Sequence, residues 1–189
     1  MFNAMLDPLP TEWGGHKIAS DFRIGIQITN ALTDPELTDA ERLGIATWLL
    51  FEDAVDPEQG AEALGWFLNG WSTDRNDGKK DAAPVMSFDV DQWRIIAAFK
   101  AQYGIDLTTE RMHYWLFMGL LVNLQDCAFT KVIDVRTRKV APKASPEEKK
   151  HLREAKRRYS LKEEEMSASE KAKKEEARDQ FLAMLKRGR

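Results

Sequence analysis

A chain of 189 residues with 43% hydrophobic residues, six Trp and nine Phe is long enough for one aromatic-rich domain plus an appendage. The net charge of −3 is unevenly split: residues 1–142 carry 13 Lys+Arg against 21 Asp+Glu (net −8), and residues 143–189 carry 15 against 10 (net +5). One cysteine, Cys127, excludes a disulfide framework and a cysteine-based zinc site, and MFNAMLDPLP lacks the basic segment, apolar run and cleavage site of a secretory signal, so a cytoplasmic protein is expected.

Residues 1–19 read as an irregular arm, with Pro8 and Pro10 blocking a helix, Gly14-Gly15 permitting a turn, and Met5, Leu6, Leu9 and Trp13 laid on the core. Ser20 or Asp21 then caps a helix to about Leu32. The alternation of Phe22, Ile24, Ile26 and Ile28 also fits a strand, but no later segment offers a strand partner, which favours the helix. Thr38-Asp39-Ala40-Glu41 fits a capping box before a helix whose apolar set is Leu43, Ala46, Trp48, Leu49, Leu50 and Phe51. Asp56-Pro57 starts a third helix, with Ala61, Leu64, Phe67 and Leu68 inward and Asn69-Gly70 as a left-handed stop.

Ser72 to Pro84 is polar and reads as an exposed, mobile loop. A helix from about Asp89 to Tyr103 follows, with Val90, Trp93, Ile96, Ala97 and Phe99 inward and Gly104 as its stop. Thr108 to Leu124 reads as the central helix: Thr108 is the N-cap, and Tyr114 to Val122 is apolar on every side and therefore predicted to be interior. That run is about half of the ~18 residues a membrane span needs. Phe129 to about Lys139 forms a shorter helix, with Val132, Ile133 and Val135 apolar and Arg136 and Arg138 outward. Ala141 to Ala144 is a hinge, and Ser145-Pro146-Glu147-Glu148 caps a helix with a thin stripe of Leu152, Ala155 and Tyr159. The rest is mostly Lys, Glu and Ala, with an apolar knot at Phe181, Met184 and Leu185 that a partner would order. The expected fold is all-α, a compact globule of about five or six helices around a central apolar helix. Residues 1–140 form its helical core domain, and residues 141–189 a charged helical extension.

Reactive groups are sparse. Cys127 and His113 form a conceivable pair, yet Ala128 and Phe129 beside Cys127 point to a small buried thiol, and His113 reads as a satisfied boundary histidine. Glu52, Asp53, Asp56 and Glu58, and likewise Asp89 and Asp91, read as helix-start residues that complement the dipole. Isolated histidines give no metal set, and neither a GxxxxGK[ST] nor a GxGxxG loop occurs. The expectation is a protein without catalytic residues, metal or cofactor, and not an enzyme. Trp66 and Trp71, around Asn69-Gly70, read as core by default and otherwise as interface anchors. Arg153, Lys156, Arg157 and Arg158 could touch phosphates, but interleaved acids favour a solvated or protein-binding helix over nucleic acid. Phe181 and Leu185 complete the candidate partner-binding set.

MLDPLPTEWGG, DFRIGIQITNAL, ALGWFLNGW, FDVDQWRIIAAFKAQYGIDL, HYWLFMGLLVNL and KVIDVRTRKV, in this order and spacing, resemble the bacteriophage gene-product-fifteen family over about residues 5–160. The resemblance implies a protein of tailed phages with long flexible tails, encoded between the tube protein and the tape measure. It implies a tail assembly chaperone acting in the host cell cytoplasm, away from the membrane. Its partners would be the tape-measure protein, the tail-tube protein and further copies of itself. It carries no catalytic residues. The alternatives are a structural virion protein, at the tail or connector, and a nucleic-acid-binding accessory factor.

Overall fold

Helix starts in this chain are written in side-chain oxygens that take the first orphan backbone N–H groups, each worth about 0.5–2 kcal/mol. Asp21, Thr38, Asp56, Ser87 and Ser145 do this, and Thr38 and Ser145 form full capping boxes with Glu41 and Glu148. In the computed structural model, which describes residues 2–51, 53–72 and 84–161, a small hairpin precedes seven helices. The hairpin strands are β1 (Glu12–Trp13) and β2 (His16–Lys17), and the helices are α1 (Phe22–Thr33), α2 (Asp39–Leu50), α3 (Pro57–Asn69), α4 (Phe88–Tyr103), α5 (Tyr114–Val122), α6 (Ala128–Thr137) and α7 (Pro146–Arg158). The fold is all-α apart from that hairpin. It divides into two compact units, one ending at Asp134 and the other beginning at Val135. The loop expected at Ser72 to Pro84 falls almost wholly on residues 73–83, and the knot at Phe181, Met184 and Leu185 on residues 162–189; both lie outside the described residues.

In the first unit, α5 supplies the core and is shorter than its sequence suggests. Asp106 accepts the backbone N–H and the hydroxyl of Thr108 at 3.1 and 2.6 Å, which turns the chain where the helix was expected to begin. The chain then runs extended beside the entry to α1. Phe22 donates its N–H to the Met112 carbonyl (3.0 Å), Tyr114 to that of Ser20 (2.8 Å), and Asp21 and His113 form an isolated bridge. Extended residues before α1 thus do find partners, and Ile18 pairs with Phe51 in the same way. α5 is not interior on every side: Tyr114, Trp115, Phe117 and Leu121 are buried, while Leu116 and Val122 are exposed.

Phe117 stacks between Phe22 and Phe99, with ring centroids 4.7 and 5.3 Å away. Tyr114 stacks on Phe67 at 5.1 Å, and the Trp115 indole N–H donates to the Phe67 carbonyl at 2.7 Å, so the buried indole keeps its polar handle satisfied. The faces of the surrounding helices differ from the expected ones in instructive places. On α4 the buried set is Asp91, Ile95, Ala98 and Phe99, leaving Val90, Trp93 and Ala97 exposed. The cause is Asp91: fully buried, it accepts the Ser87 N–H at 3.2 Å and pairs with Arg94 at 2.9 Å, so a charge sits on the inward face. On α2, Ala46 and Leu50 face inward, and Trp48, about 200° round the helix from Ala46, is exposed. On α3, Ala63 is buried and Ala61 exposed. Gly70 ends α3 right-handed, at φ −68°, not left-handed; a Cβ there would overlap the Trp115 ring, so the glycine serves close packing. Gly104, at φ 72°, is the left-handed cap expected. In the arm, Leu9 and Trp13 pack on the core, but Met5 and Leu6 are exposed. Gly14 and Gly15, at φ 59° and 84°, form the tight turn.

The described part of the second unit holds the end of α6 and α7. Arg136, expected to point outward, donates its Nε–H to the Tyr159 carbonyl at 2.6 Å, satisfying an orphan group at the end of α7.

Gly25 faces the Tyr114 ring so closely that a Cβ would overlap it, whereas Gly65 faces open space on the exposed side of α3. Urea denaturation should show Gly25→Ala losing about 1–3 kcal/mol by overpacking. Gly65→Ala should gain up to about 1 kcal/mol from helix propensity.

Candidate functional site

The aromatic anchors expected beside the end of α3 turn out to belong to the core's packing. Trp66 is half-buried and meets Trp115 edge to face at 5.0 Å. Trp71 is half-buried, and its indole N–H donates to the Leu68 carbonyl at 2.9 Å. The tryptophans offered to solvent are Trp48, 76% exposed, and Trp93, 71% exposed, both of which the sequence reading placed inward. Trp93 lies with Val90 and Ala97 on one apolar stripe of α4, spaced i, i+3 and i+7. Trp48 edges a groove of about 460 Å³ floored by Leu43, Gly44 and Thr47 of α2 and closed by Asp53 and Val55 before α3. The Thr47 hydroxyl there is buried without a hydrogen-bond partner.

Of the four cations singled out on α7, Arg153, Arg157 and Arg158 are exposed and Lys156 is half-buried. Lys156, Arg157 and Arg158 occupy the last turn, where positive charge complements the helix dipole. Phe181 and Leu185 lie outside the described residues.

The groups that might have carried chemistry are committed to structure. His113 caps α5: its Nδ1 accepts the Trp115 N–H at 3.0 Å, and its Nε2 lies 2.8 Å from the Pro10 carbonyl. Nδ1 accepts, so Nε2 carries the proton and donates, which fixes the neutral tautomer. The Thr130 hydroxyl donates to the Cys127 carbonyl at 3.0 Å and accepts the Cys127 N–H at 3.1 Å, with Sγ 3.6 Å from the same oxygen. Cys127 is half-buried. Among the described residues no three of His, Cys, Asp and Glu gather in a way that could hold a metal ion. The carboxyls of Glu41 and Glu148 are held below the usual range by their capping-box bonds to Thr38 and Ser145, and that of Asp106 by its bonds to Thr108. These are folding devices.

The family model described as Bacteriophage Gp15 protein matches residues 5–161, most of the chain. The chain belongs to the Bacteriophage Gp15 family. No curated protein and no solved structure matches it. Membership suggests a phage structural or morphogenesis protein. Within this Gp15 protein, no described helix is long and apolar enough to cross a membrane. Among the described residues, the exposed apolar side chains include the Val90–Trp93–Ala97 stripe of α4 and Ile45 with Trp48 on α2.

Burial, partly opposed by the bond to Pro10, pushes the His113 imidazole below its usual pKa. Protonation would also put an N–H where the Trp115 N–H needs an acceptor. The unfolded chain takes up this proton near its ordinary pKa of about 6.5, before the folded one does. His113 therefore supports full stability above that value and costs stability as pH falls below it. Denaturation at pH 7.5 and 5.5 should show the wild-type protein losing more stability on acidification than His113→Asn, which keeps a neutral cap.

Proposed function

We propose that this Gp15 protein is a non-enzymatic tail assembly chaperone. It binds and shields the tape-measure protein in the host cytoplasm and helps recruit tail-tube subunits. The observation that carries the reading is the exposed Val90–Trp93–Ala97 stripe of α4 in a chain of this phage family. A tape measure is a long helical chain that would aggregate if left bare. A complementary apolar stripe of helical spacing covers one of its faces and lets go again, because a single exposed Trp is a strong but local anchor. The acidic first part of the chain, net −8 over residues 1–142, keeps a coated complex soluble by mutual repulsion. The basic remainder, with Arg153, Lys156, Arg157 and Arg158 on α7, is the part assigned to the tube protein.

Co-expression with the neighbouring tape-measure protein tests this. The full chain should keep the tape soluble and co-purify with it. Trp93→Ala should retain its helical circular dichroism and weaken capture by about 10-fold or more, as expected for an interface Trp. A tape that stays insoluble, or that is captured equally well by Trp93→Ala, removes the reading. Ending the chain after Ala141 should leave tape binding intact and abolish recruitment of tube protein to the complex. Mass spectrometry of finished particles should find no copy of the chaperone, whereas a structural virion protein would be present.

A further inference from the structure

Two surfaces on this chain differ in form and in charge, one protruding among acids and the other recessed among cations. The first is the knob on α2, where Trp48 is 76% and Ile45 39% exposed, one turn apart. It stands among exposed acids: Asp39 and Glu41 on the same helix, and Asp53 on the far wall of the groove beside Trp48. Arg42 lies on α2 too and pairs with Asp39 at 2.9 Å, which cancels one of these charges and leaves Glu41 and Asp53 as the net negative charge around the knob. The second is a cleft in the second unit, about 660 Å³, formed by the end of α6, the connecting residues and α7. Its apolar lining includes Val140, Leu152 and Ala155, and its cations are Arg138, Lys139 and Lys143. Glu148 is the one acid lining it, and its carboxylate accepts the Ser145 N–H at 2.7 Å within the capping box.

We propose that copies of this chain associate head to tail, the Trp48–Ile45 knob of one copy seating in the α6–α7 cleft of a second copy. A cleft of that volume is in the ~300–1,000 Å³ range that accepts large apolar groups. The acids around the knob meet the cations around the cleft, and a lysine beside the indole face adds a cation–π contact. Charge also decides which surfaces meet. Knob against knob would oppose acids to acids, and cleft against cleft would oppose cations to cations, so contacts between like surfaces are disfavoured. A knob-to-cleft contact is left: made one way between neighbours it adds copies in an open row unless its rotation closes a ring, and made reciprocally it would stop at a two-fold dimer. One knob in one cleft covers less than the ~800 Å² per partner of a standard stable interface. The association is therefore weak, reversible and salt-sensitive. It goes beyond the chaperone reading, because it requires no tape measure.

Sedimentation equilibrium of the purified full chain tests it, between about 5 and 200 µM, a span that reports contacts of micromolar strength. The wild-type protein should show mass rising with concentration past that of a dimer, and less so at high salt; a plateau at the dimer mass would mean a reciprocal two-fold pair and overturn the head-to-tail arrangement. Trp48→Ala, and separately the pair Lys139→Glu and Lys143→Glu, should each weaken association by about 10-fold or more. Both alter exposed side chains, so circular dichroism should be unchanged. Mixed in equal amounts, the two variants should form a one-to-one pair that grows no further, since one retains only the cleft and the other only the knob. A wild-type protein that stays monomeric throughout overturns the proposal. So does a mixture that fails to pair, or a Trp48→Ala protein that associates as well as wild type. The measurement involves no tape measure, so failure to bind tape leaves its outcome untouched.

Discussion

The stack of Phe22, Phe117 and Phe99 is the interaction on which the rest of the first unit depends. It joins α1, α5 and α4 through three rings that are all buried. α5 is only nine residues long and would not persist alone, so its position must be imposed from outside. The imposition is made by backbone as well as by rings. The extended residues 20–22 and 112–114 exchange hydrogen bonds, and the Asp21 and His113 side chains cap the two helices that start there. The Trp115 indole is fastened to the Phe67 carbonyl, and Gly25 and Gly70 leave the room that the Tyr114 and Trp115 rings occupy. A short apolar helix thus acts as a peg, and the longer helices are fitted around it.

Much of this was legible in residues whose chemistry is local. Thr38, Asp56-Pro57 and Ser145-Pro146 mark helix starts because a capping oxygen or an N1 proline needs nothing from the rest of the fold. Gly104 marks a stop for the same reason. The failures come where tertiary partners decide. A charged residue is normally assigned to the outer face, so buried Asp91 shifted the inferred inward stripe of α4 off its true phase and turned Trp93 inward. The Asp106–Thr108 turn resembles a helix cap, since the same oxygens and the same N–H groups serve either structure. For tryptophan, spacing alone does not separate Trp66, pressed against Trp115, from Trp48, which meets solvent. A signal for Trp48 was present: once the capping box fixes the helix frame, Ala46 and Leu50 share a face that position 48 lies opposite.

The same distinction separates scaffold from function. The most apolar stretch of the sequence contributes stability, and the reactive-looking His113 and Cys127 are spent on structural hydrogen bonds. The surfaces available to partners are on helices around the peg and in the second unit, and their charges are opposite. Acidic surroundings with protruding tryptophan on one part of the chain, and a basic-rimmed apolar cleft on another, suit a protein that repeats along a partner. Family membership suggests a phage structural or morphogenesis protein.

On the proposed function, the peg stays inside while the outer face of α4 meets the tape measure. Hydrogen–deuterium exchange on the full chain, alone and co-purified with the tape-measure protein, tests it most directly. The account predicts slowed exchange across Phe88–Tyr103 in the complex and unchanged, already slow exchange in Tyr114–Val122. Slowed exchange confined to Tyr114–Val122, or exchange in Phe88–Tyr103 that the tape leaves unaltered, would contradict it.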